Sequence, residues 1–488
     1  MDRHDGAALT ATDLASSSQE QTMIMAKTNR NRARVAFLAF VAAALVLAAF
    51  AAAATNAGAT RMSNVPVSAQ VALDWNANAV AAVRAAKTLD GVPLGSPPRP
   101  LYQTEGLLYM SYVQAAVYDA VMRIAHRYEP YHHFKAQADH ASLQAAVIAA
   151  SYNTLVFYLG DPGGVLAAKY AAAIAALPAD ATTARRIAVG QAAAADIAAL
   201  RANDGRNASV SAPYGQGPLA PGVWVFPPPP SLQSAQTPWL AFMQPPLLTS
   251  SAQFRAPPPP ALSSAQYATD LNETEAYGAL NSTVRTPDQT AIAWFWNANA
   301  INQLNQTLRD AATQHGMDLV DAVHLLAMGE IVPTDAGIAC FESKYHYLFW
   351  RPITAIRNAD IDGNAATTAD PTWSPLVTTP NHPEYPSQHG CVTSALAQVL
   401  AHALGTDAID VTILGAQGGA GTLTTSQHFA TVQDLNSQLV NARVWIGFHY
   451  RNSVVVGEDL GTAVADWALQ RYFLPGDSQG DNDSGANG

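Results

Sequence analysis

Residues 344–352 read Lys-Tyr-His-Tyr-Leu-Phe-Trp-Arg-Pro. Lys344 and Arg351 stand seven positions apart, two turns at about 100° per residue, so a continuous helix over Thr334–Ile356 projects both from nearly the same face. A guanidinium fork and a compact ammonium about 10 Å apart along that axis can grip one tetrahedral anion. By itself such a pair suits a solvated helix face. Its setting of Tyr345, Tyr347, Leu348, Phe349 and Trp350 is too apolar for an outer surface and points to a buried cationic site.

Helical spacing of apolar residues continues on both sides of this stretch. Towards the C terminus the candidates are Gln266–Leu280, Pro287–Asp310, Met317–Met328, Gly390–Leu404, Thr425–Trp445 and Val455–Tyr472. Towards the N terminus they are Gln70–Ala86, Gly106–Arg123, Ser142–Leu159, Ala167–Ala176 and Thr182–Leu200. Few segments alternate as strands do. The expected fold is all-α, two packed helical bundles joined by a long Pro-rich loop, with the active site in the C-terminal bundle. The expected boundaries are an N-terminal helical half at 62–210, the loop at 211–263, the catalytic helical half at 264–475 and a disordered Gly/Asp/Asn/Ser-rich tail at 476–488. Prolines at 227–230 and 257–260 remove backbone donors and disfavour helix. The loop reads as a linker, or, since it carries Trp224 and Trp239, as a roof over a substrate pocket.

Two further elements carry chemistry. Pro383-Glu-Tyr-Pro-Ser387-Gln388-His389-Gly390 runs into a helical stretch, where Ser387 can cap the helix and the amides after it form an anion-binding end. His389 in the first turn would sit beside that anion as a proton donor or acceptor. The third element is Arg443-Val-Trp-Ile-Gly447-Phe-His449-Tyr-Arg-Asn-Ser453. Residues six apart on an ideal helix diverge by about 120°, so Arg443 and His449 converge only if the helix ends near Gly447. Ser453, or the backbone, is then placed to hold the His449 imidazole in one tautomer. His346 and His428 read as structural.

In this order the three elements resemble the superfamily that joins vanadium-dependent haloperoxidases with type 2 phosphatidic acid phosphatases and bacterial acid phosphatases. That pattern is Lys, six residues, Arg-Pro; then Pro-Ser-Gly-His; then Ser-Arg, five residues, His, three residues, Asp. Lys344, Arg351, Pro352, Pro386, Ser387, His389, Arg443 and His449 fall on it. The motifs cover about Lys344–Ser453, and the helical texture from Val71 onward looks like the secreted bacterial haloperoxidase-like branch. The resemblance implies that Lys344, Arg351, Ser387, Gln388 and Arg443 bind vanadate or phosphate. It makes His449 the axial ligand of vanadium or the nucleophile on phosphorus, and His389 the acid–base group. Lys344 would also polarise bound peroxide. His382 and Trp350 are candidates for a halide pocket.

Three positions depart from the pattern: Gln388 for the glycine, Ala442 for the serine and Ser453 for the aspartate that orients the histidine. A hydroxyl raises imidazole basicity less than a carboxylate does, which weighs against strong phosphomonoesterase activity. The favoured expectation is a haloperoxidase with vanadate as cofactor and hydrogen peroxide, halide and an organic acceptor as partners. The alternatives are an acid phosphatase working through a phosphohistidine, and an oxyanion-binding protein without turnover.

The balance of 26 Lys+Arg against 37 Asp+Glu, a net charge of −11, with no basic block, argues against nucleic acid as a partner. Any bound anion must be gathered by a local site. Two cysteines, Cys340 and Cys391, exclude a disulfide framework and a Cys-based zinc site but leave one disulfide open. Within 1–59, Lys27, Arg30, Arg32 and Arg34 precede an apolar run at 35–54 and then small residues, the form of a secretory signal. An uncleaved membrane anchor at 35–54 is the competing reading, and its alanine content favours cleavage. Either places the body outside the cytoplasmic membrane, and the sequence leaves the oligomeric state open.

Overall fold

The computed structural model describes residues 68–476, apart from short stretches at 90–91, 95–98, 138–141, 179–180, 229–233 and 419–422; the apolar run at 35–54 and the tail from 477 lie outside the described residues. Among the described residues five helices precede the Pro-rich segment: α1 (Gln70–Ala85), α2 (Gln103–Ala125), α3 (Leu143–Leu159), α4 (Val165–Ala175) and α5 (Ala181–Leu200). Eight follow it: α6 (Ala265–Gly278), α7 (Pro287–Phe295), α8 (Ala300–Gln314), α9 (Leu319–Tyr347), α10 (Pro352–Arg357), α11 (Gln388–Leu404), α12 (Val432–Trp445) and α13 (Arg451–Leu469). Two-residue strands β1 (Thr88–Leu89) and β2 (Val92–Pro93) pair, as do β3 (Val411–Ala416) and β4 (Leu423–Phe429), both antiparallel. The all-α expectation holds. Among the described residues no helix is long and apolar enough to cross a membrane.

Helix α9 organises the site. Asp318 caps it, its carboxylate accepting from Asp321 N at 3.0 Å, and nearly every residue from Leu319 to Tyr345 is buried. A helix apolar on all sides belongs inside a protein, and α9 packs against α2, α8, α11 and α13. Since α2 precedes the Pro-rich segment and the others follow it, the two sides share one core.

The continuous helix expected over Thr334–Ile356 is not what forms. Leu348 adopts the left-handed region at φ 50° and closes α9, Arg351 is extended at φ −76°, ψ 154°, and Pro352 opens α10. A residue before proline is driven out of the helical region, and proline suits a first helical position, so Arg351-Pro352 marks a boundary. Lys344 therefore lies in the last turn of one helix and Arg351 caps the next. Two other expected helices change as well. Pro287–Asp310 divides into α7 and α8 at the Asn299 cap. Thr425–Trp445 gives its first residues to β4, because Leu423-Thr-Thr-Ser-Gln-His-Phe pairs with Val411–Ala416 before helix begins.

The described parts of the Pro-rich segment wrap around the C-terminal half of α9. Trp224 N donates to Leu348 O at 2.7 Å, and Leu247 N and Leu248 N both donate to Asp335 Oδ2, at 2.8 and 2.9 Å. Ala256 N donates to Ser343 Oγ at 3.0 Å, while Arg255 pairs with Glu342. Each bond runs from a loop group to a side chain or carbonyl of α9, so the proline-poor stretches recover the backbone satisfaction that the proline runs forgo.

Helices α11 and α13 meet along a glycine seam. A β-carbon at Gly461 would run into the Cys391 carbonyl and the Ser394 hydroxyl. Backbone cannot step aside as a side-chain tip can, so Gly461→Ala is expected to destabilise by ~1–3 kcal/mol or more. Chemical denaturation checks this, and because Ser387 caps α11, oxyanion affinity should fall with stability.

Candidate active site

The three motifs converge on one buried place. The loop 380–387 passes between the start of α10 and the start of α13, fixed by Glu384 N donating to Phe349 O and Ser387 N to Ser453 O, both at 2.9 Å. Ser387 then caps α11, its Oγ accepting from Gly390 N at 3.5 Å. The amides of Gln388 and His389 lie in the first turn, where a helix has no partners of its own to offer them. Helix α12 ends at Trp445 and the chain turns at Gly447, φ 82°, as the convergence of Arg443 and His449 requires.

A cavity of about 110 Å³ lies at this junction, with His382, Gln388, His389, Arg443 and His449 on its wall. Gln103, Thr104 and Leu107 of α2, Gln236 of the Pro-rich segment, and Ala300, Gln303 and Leu304 of α8 are also part of the lining. The roof thus comes from the N-terminal side of the chain, from the loop and from α8. Gln236 is pinned by its amide to Asn381 O at 2.7 Å and by Tyr345 Oη donating to its carbonyl at 2.7 Å. Sequence gave no sign of the α2 contribution. Nor does the sequence single out Gln236; the tryptophans that suggest a roof, Trp224 and Trp239, are not on the cavity wall.

Lys344, Arg351 and Arg443 are almost wholly inaccessible to solvent, at 0%, 0% and 1% exposure. Lys344 Nζ donates to the carbonyls of Pro383 (3.1 Å), Glu384 (2.9 Å) and Pro386, using all three ammonium hydrogens to hold the loop. Burial, with Arg351 nearby, lowers its pKa to about 8. Arg351 reaches His382 O through Nε and Phe448 O through Nη1, both at 2.9 Å. Its Nη1 also lies 3.3 Å from His449 Nε2. Arg443 donates to Trp296 O at 3.2 Å and covers the Phe448 ring at 5.1 Å, while its Nε has no hydrogen-bond partner. Burial and the neighbouring Arg351 lower its pKa to about 9.

The residue that sequence reasoning missed is Glu384. Its Oε1 lies 2.8 Å from His449 Nδ1 and accepts from Tyr450 N at 3.2 Å. Ser453, expected to hold this imidazole, instead gives its backbone carbonyl to Ser387, and its hydroxyl is buried without a hydrogen-bond partner. A carboxylate therefore stands behind His449, delivered from the loop and not from α13. The objection to phosphoryl transfer raised by serine at 453 loses its basis. Burial raises the Glu384 pKa to about 7, with Lys344 and Arg351 pulling the other way. With Nδ1–H directed at Glu384, His449 Nε2 presents a lone pair towards Arg351 and the cavity. Burial and Arg351 hold His449 well below the usual histidine pKa, and burial and Arg443 do the same for His389. Both imidazoles are neutral bases at neutral pH.

The halide-pocket pair divides. His382 lines the cavity with its ring 5.2 Å from that of Phe341. Trp350 is fully buried but off the cavity wall: the chain turns extended after Leu348, its amide binds Gly222 O at 3.2 Å, and its indole lies by Tyr267. The Gln388 amide packs against Gly337, and its Oε1 has no hydrogen-bond partner. Cys340 and Cys391 are both free and buried, so no disulfide joins them here.

Two buried cations, Lys344 and Arg351, act on the carboxyl of Glu384, and Arg443 adds a third beside Arg351, which leaves an excess of positive charge in the protein interior. An unbalanced buried charge is costly, and an anion beside it removes that cost. The orphaned Arg443 Nε, the start of α11 and the lone pair of His449 together suit a tetrahedral oxyanion. Vanadate and phosphate both meet that description.

Residues 324–474 match the family model described as the VCPO second helical-bundle domain. Over 148 residues the sequence is 30% identical to the vanadium chloroperoxidase of Curvularia inaequalis, a match covering 25% of this chain. It covers 24% of that protein, so the chain spans about a quarter of the length of the curated relative it matches. The fold is similar to that of a protein described as the first bacterial vanadium-dependent iodoperoxidase, with a TM-score of 0.67, 18% identity, and coverage of 86% of this chain and 100% of that one. It is also similar to a holo-type bacterial vanadium-dependent chloroperoxidase, with a TM-score of 0.61, 20% identity, and coverage of 75% and 91%.

Proposed function

From membership of the superfamily that joins vanadium-dependent haloperoxidases with type 2 phosphatidic acid phosphatases, we propose that this protein is a vanadate-dependent haloperoxidase, oxidising halide with hydrogen peroxide to a hypohalous acid equivalent. The observation that carries the reading is the cluster of Lys344, Arg351 and Arg443, three cations with at most 1% exposure around a cavity walled by three neutral imidazoles, His382, His389 and His449. Vanadate, when bound, supplies a Lewis-acid centre that activates peroxide. Arg351 and Arg443 would neutralise its oxygens, and Ser387 with the first amides of α11 would donate to them. His449 would hold the group through Nε2, kept unprotonated by the Glu384 partner on Nδ1. His389 takes a proton from the entering peroxide at a ring nitrogen. Lys344 acts through its field and by holding the 383–386 carbonyls. An organic acceptor takes up the oxidised halogen, and the segment at 35–54 directs the protein out of the cytoplasm.

The Glu384–His449 pair favours phosphoryl transfer as the second reading, with His449 attacking a phosphomonoester and His389 protonating the leaving oxygen. One experiment separates the two. Purified protein is assayed with orthovanadate, peroxide and bromide against a brominatable dye, and in parallel, without vanadate, against a phosphomonoester. Bromination that requires vanadate is the expected result. Phosphatase turnover with no bromination reverses the order.

A further inference from the structure

Arg351 already holds substitutes for the oxygens of an anion. Its Nη2 lies 3.0 Å from Nδ1 and 3.3 Å from Nε2 of His382, Nη1 reaches Phe448 O and His449 Nε2, and Nε reaches His382 O. Of the five N–H groups in the fork, these contacts leave one, on Nη2. An oxyanion between Arg443 and His449 finds that one free hydrogen on Nη2, and it gains a second bond from Nη2 only by exchanging an imidazole nitrogen for an anion oxygen.

His382 is built into that position. Its amide bonds to Pro380 O at 3.1 Å, its carbonyl receives Arg351 Nε, and its ring lies between Phe341 and the cavity. Residue 382 thus anchors Arg351 twice, once through the backbone, which an anion does not displace, and once through the ring, which it does. We propose that His382 sets the oxyanion affinity of the site by competing, through a ring nitrogen, for Arg351 Nη2. This deepens the oxyanion-site reading and rests on it. The ligand class is a tetrahedral or trigonal-bipyramidal oxyanion, phosphate or vanadate alike, and the competitor is neutral. A charged oxygen therefore wins the exchange, at an affinity reduced by the bond given up.

The consequence is a substitution that improves binding. His382→Phe keeps an aromatic ring and removes the one ring nitrogen that can accept, so the free protein loses the bond and the anion no longer has to displace it. A hydrogen bond from a charged donor corresponds to about tenfold or more in affinity. Titration calorimetry with inorganic phosphate is expected to give a Kd about tenfold lower for His382→Phe than for the parent. The melting temperature without phosphate should be lower and the rise on adding phosphate larger. His382→Gln, which restores an acceptor, should return Kd to within about threefold of the parent. His382→Leu, also without an acceptor, provides the same comparison should the phenylalanine variant not fold. An unchanged or higher Kd in the acceptor-free variants overturns the proposal, and so does a glutamine variant as tight as phenylalanine, which would assign the effect to ring volume. Arg443→Ala is the separate control: if it leaves phosphate binding intact, the oxyanion site itself is misplaced, whatever the His382 variants do.

Discussion

Substituting His449 by alanine is expected to lower turnover by at least ~10³-fold, in whichever of the two assays the parent protein is active, while the protein still folds and still binds inorganic phosphate. His449 Nε2 is the neutral base on the cavity wall that is oriented from behind by a carboxylate. The cations do not depend on it: Lys344 is held by three loop carbonyls, and Arg351 keeps His382 and Phe448 O. Binding and catalysis should therefore come apart in this variant. Partial recovery of rate on adding free imidazole would show that the lost group is the ring and not the packing around it. Equal loss of phosphate binding and turnover would count against the assignment.

Glu384→Gln should have the next largest effect, a fall of about 10- to 100-fold in rate, the usual cost of losing a group that orients a ligating histidine. The amide keeps an acceptor for His449 Nδ1 and Tyr450 N but loses the charge that makes Nε2 more basic. Two pH measurements identify the cause. Burial raises the Glu384 carboxyl from 4.5 to about 7. Its ionised form accumulates above that value, so the parent's rate should climb as pH passes about 7 and the glutamine variant should lack this limb. Stability moves in the opposite sense. A carboxyl whose folded pKa lies above its unfolded value contributes fully below about 4.5, and that contribution is lost as pH rises through about 7. The melting temperature of the glutamine variant should then decline less over that interval. A slower enzyme with a flatter stability profile is the signature of lost charge, whereas a misfolded loop would lower both.

How far the sequence reveals the site depends on the range of the interactions involved. Lys344, Arg351, Ser387, His389, Arg443 and His449 are legible because each lies in a short motif with a fixed interval, and all six reach the same buried neighbourhood. The helix assumed to join Lys344 to Arg351 fails because an interval of seven says nothing about whether the helix persists, while Pro352 already marks its end. Glu384 sits in full view between Pro383 and Tyr385. Its role depends on a partner 65 residues away, brought close by bonds from the loop to Phe349 and Ser453, and no local pattern encodes that. The same holds for Gln103 and Thr104, which reach the cavity only because α2 packs along α9.

The cavity's size decides where selectivity resides. About 110 Å³ accommodates several water-sized molecules, whereas pockets for larger organic ligands run to about 300–1,000 Å³. Peroxide and a halide ion fit beside a tetrahedral anion; a multi-ring acceptor does not. Under the proposed haloperoxidase reading, a carbon skeleton of that size would be met at the mouth or beyond it, and which of its positions reacts would follow from the electron richness of the acceptor more than from the cavity wall.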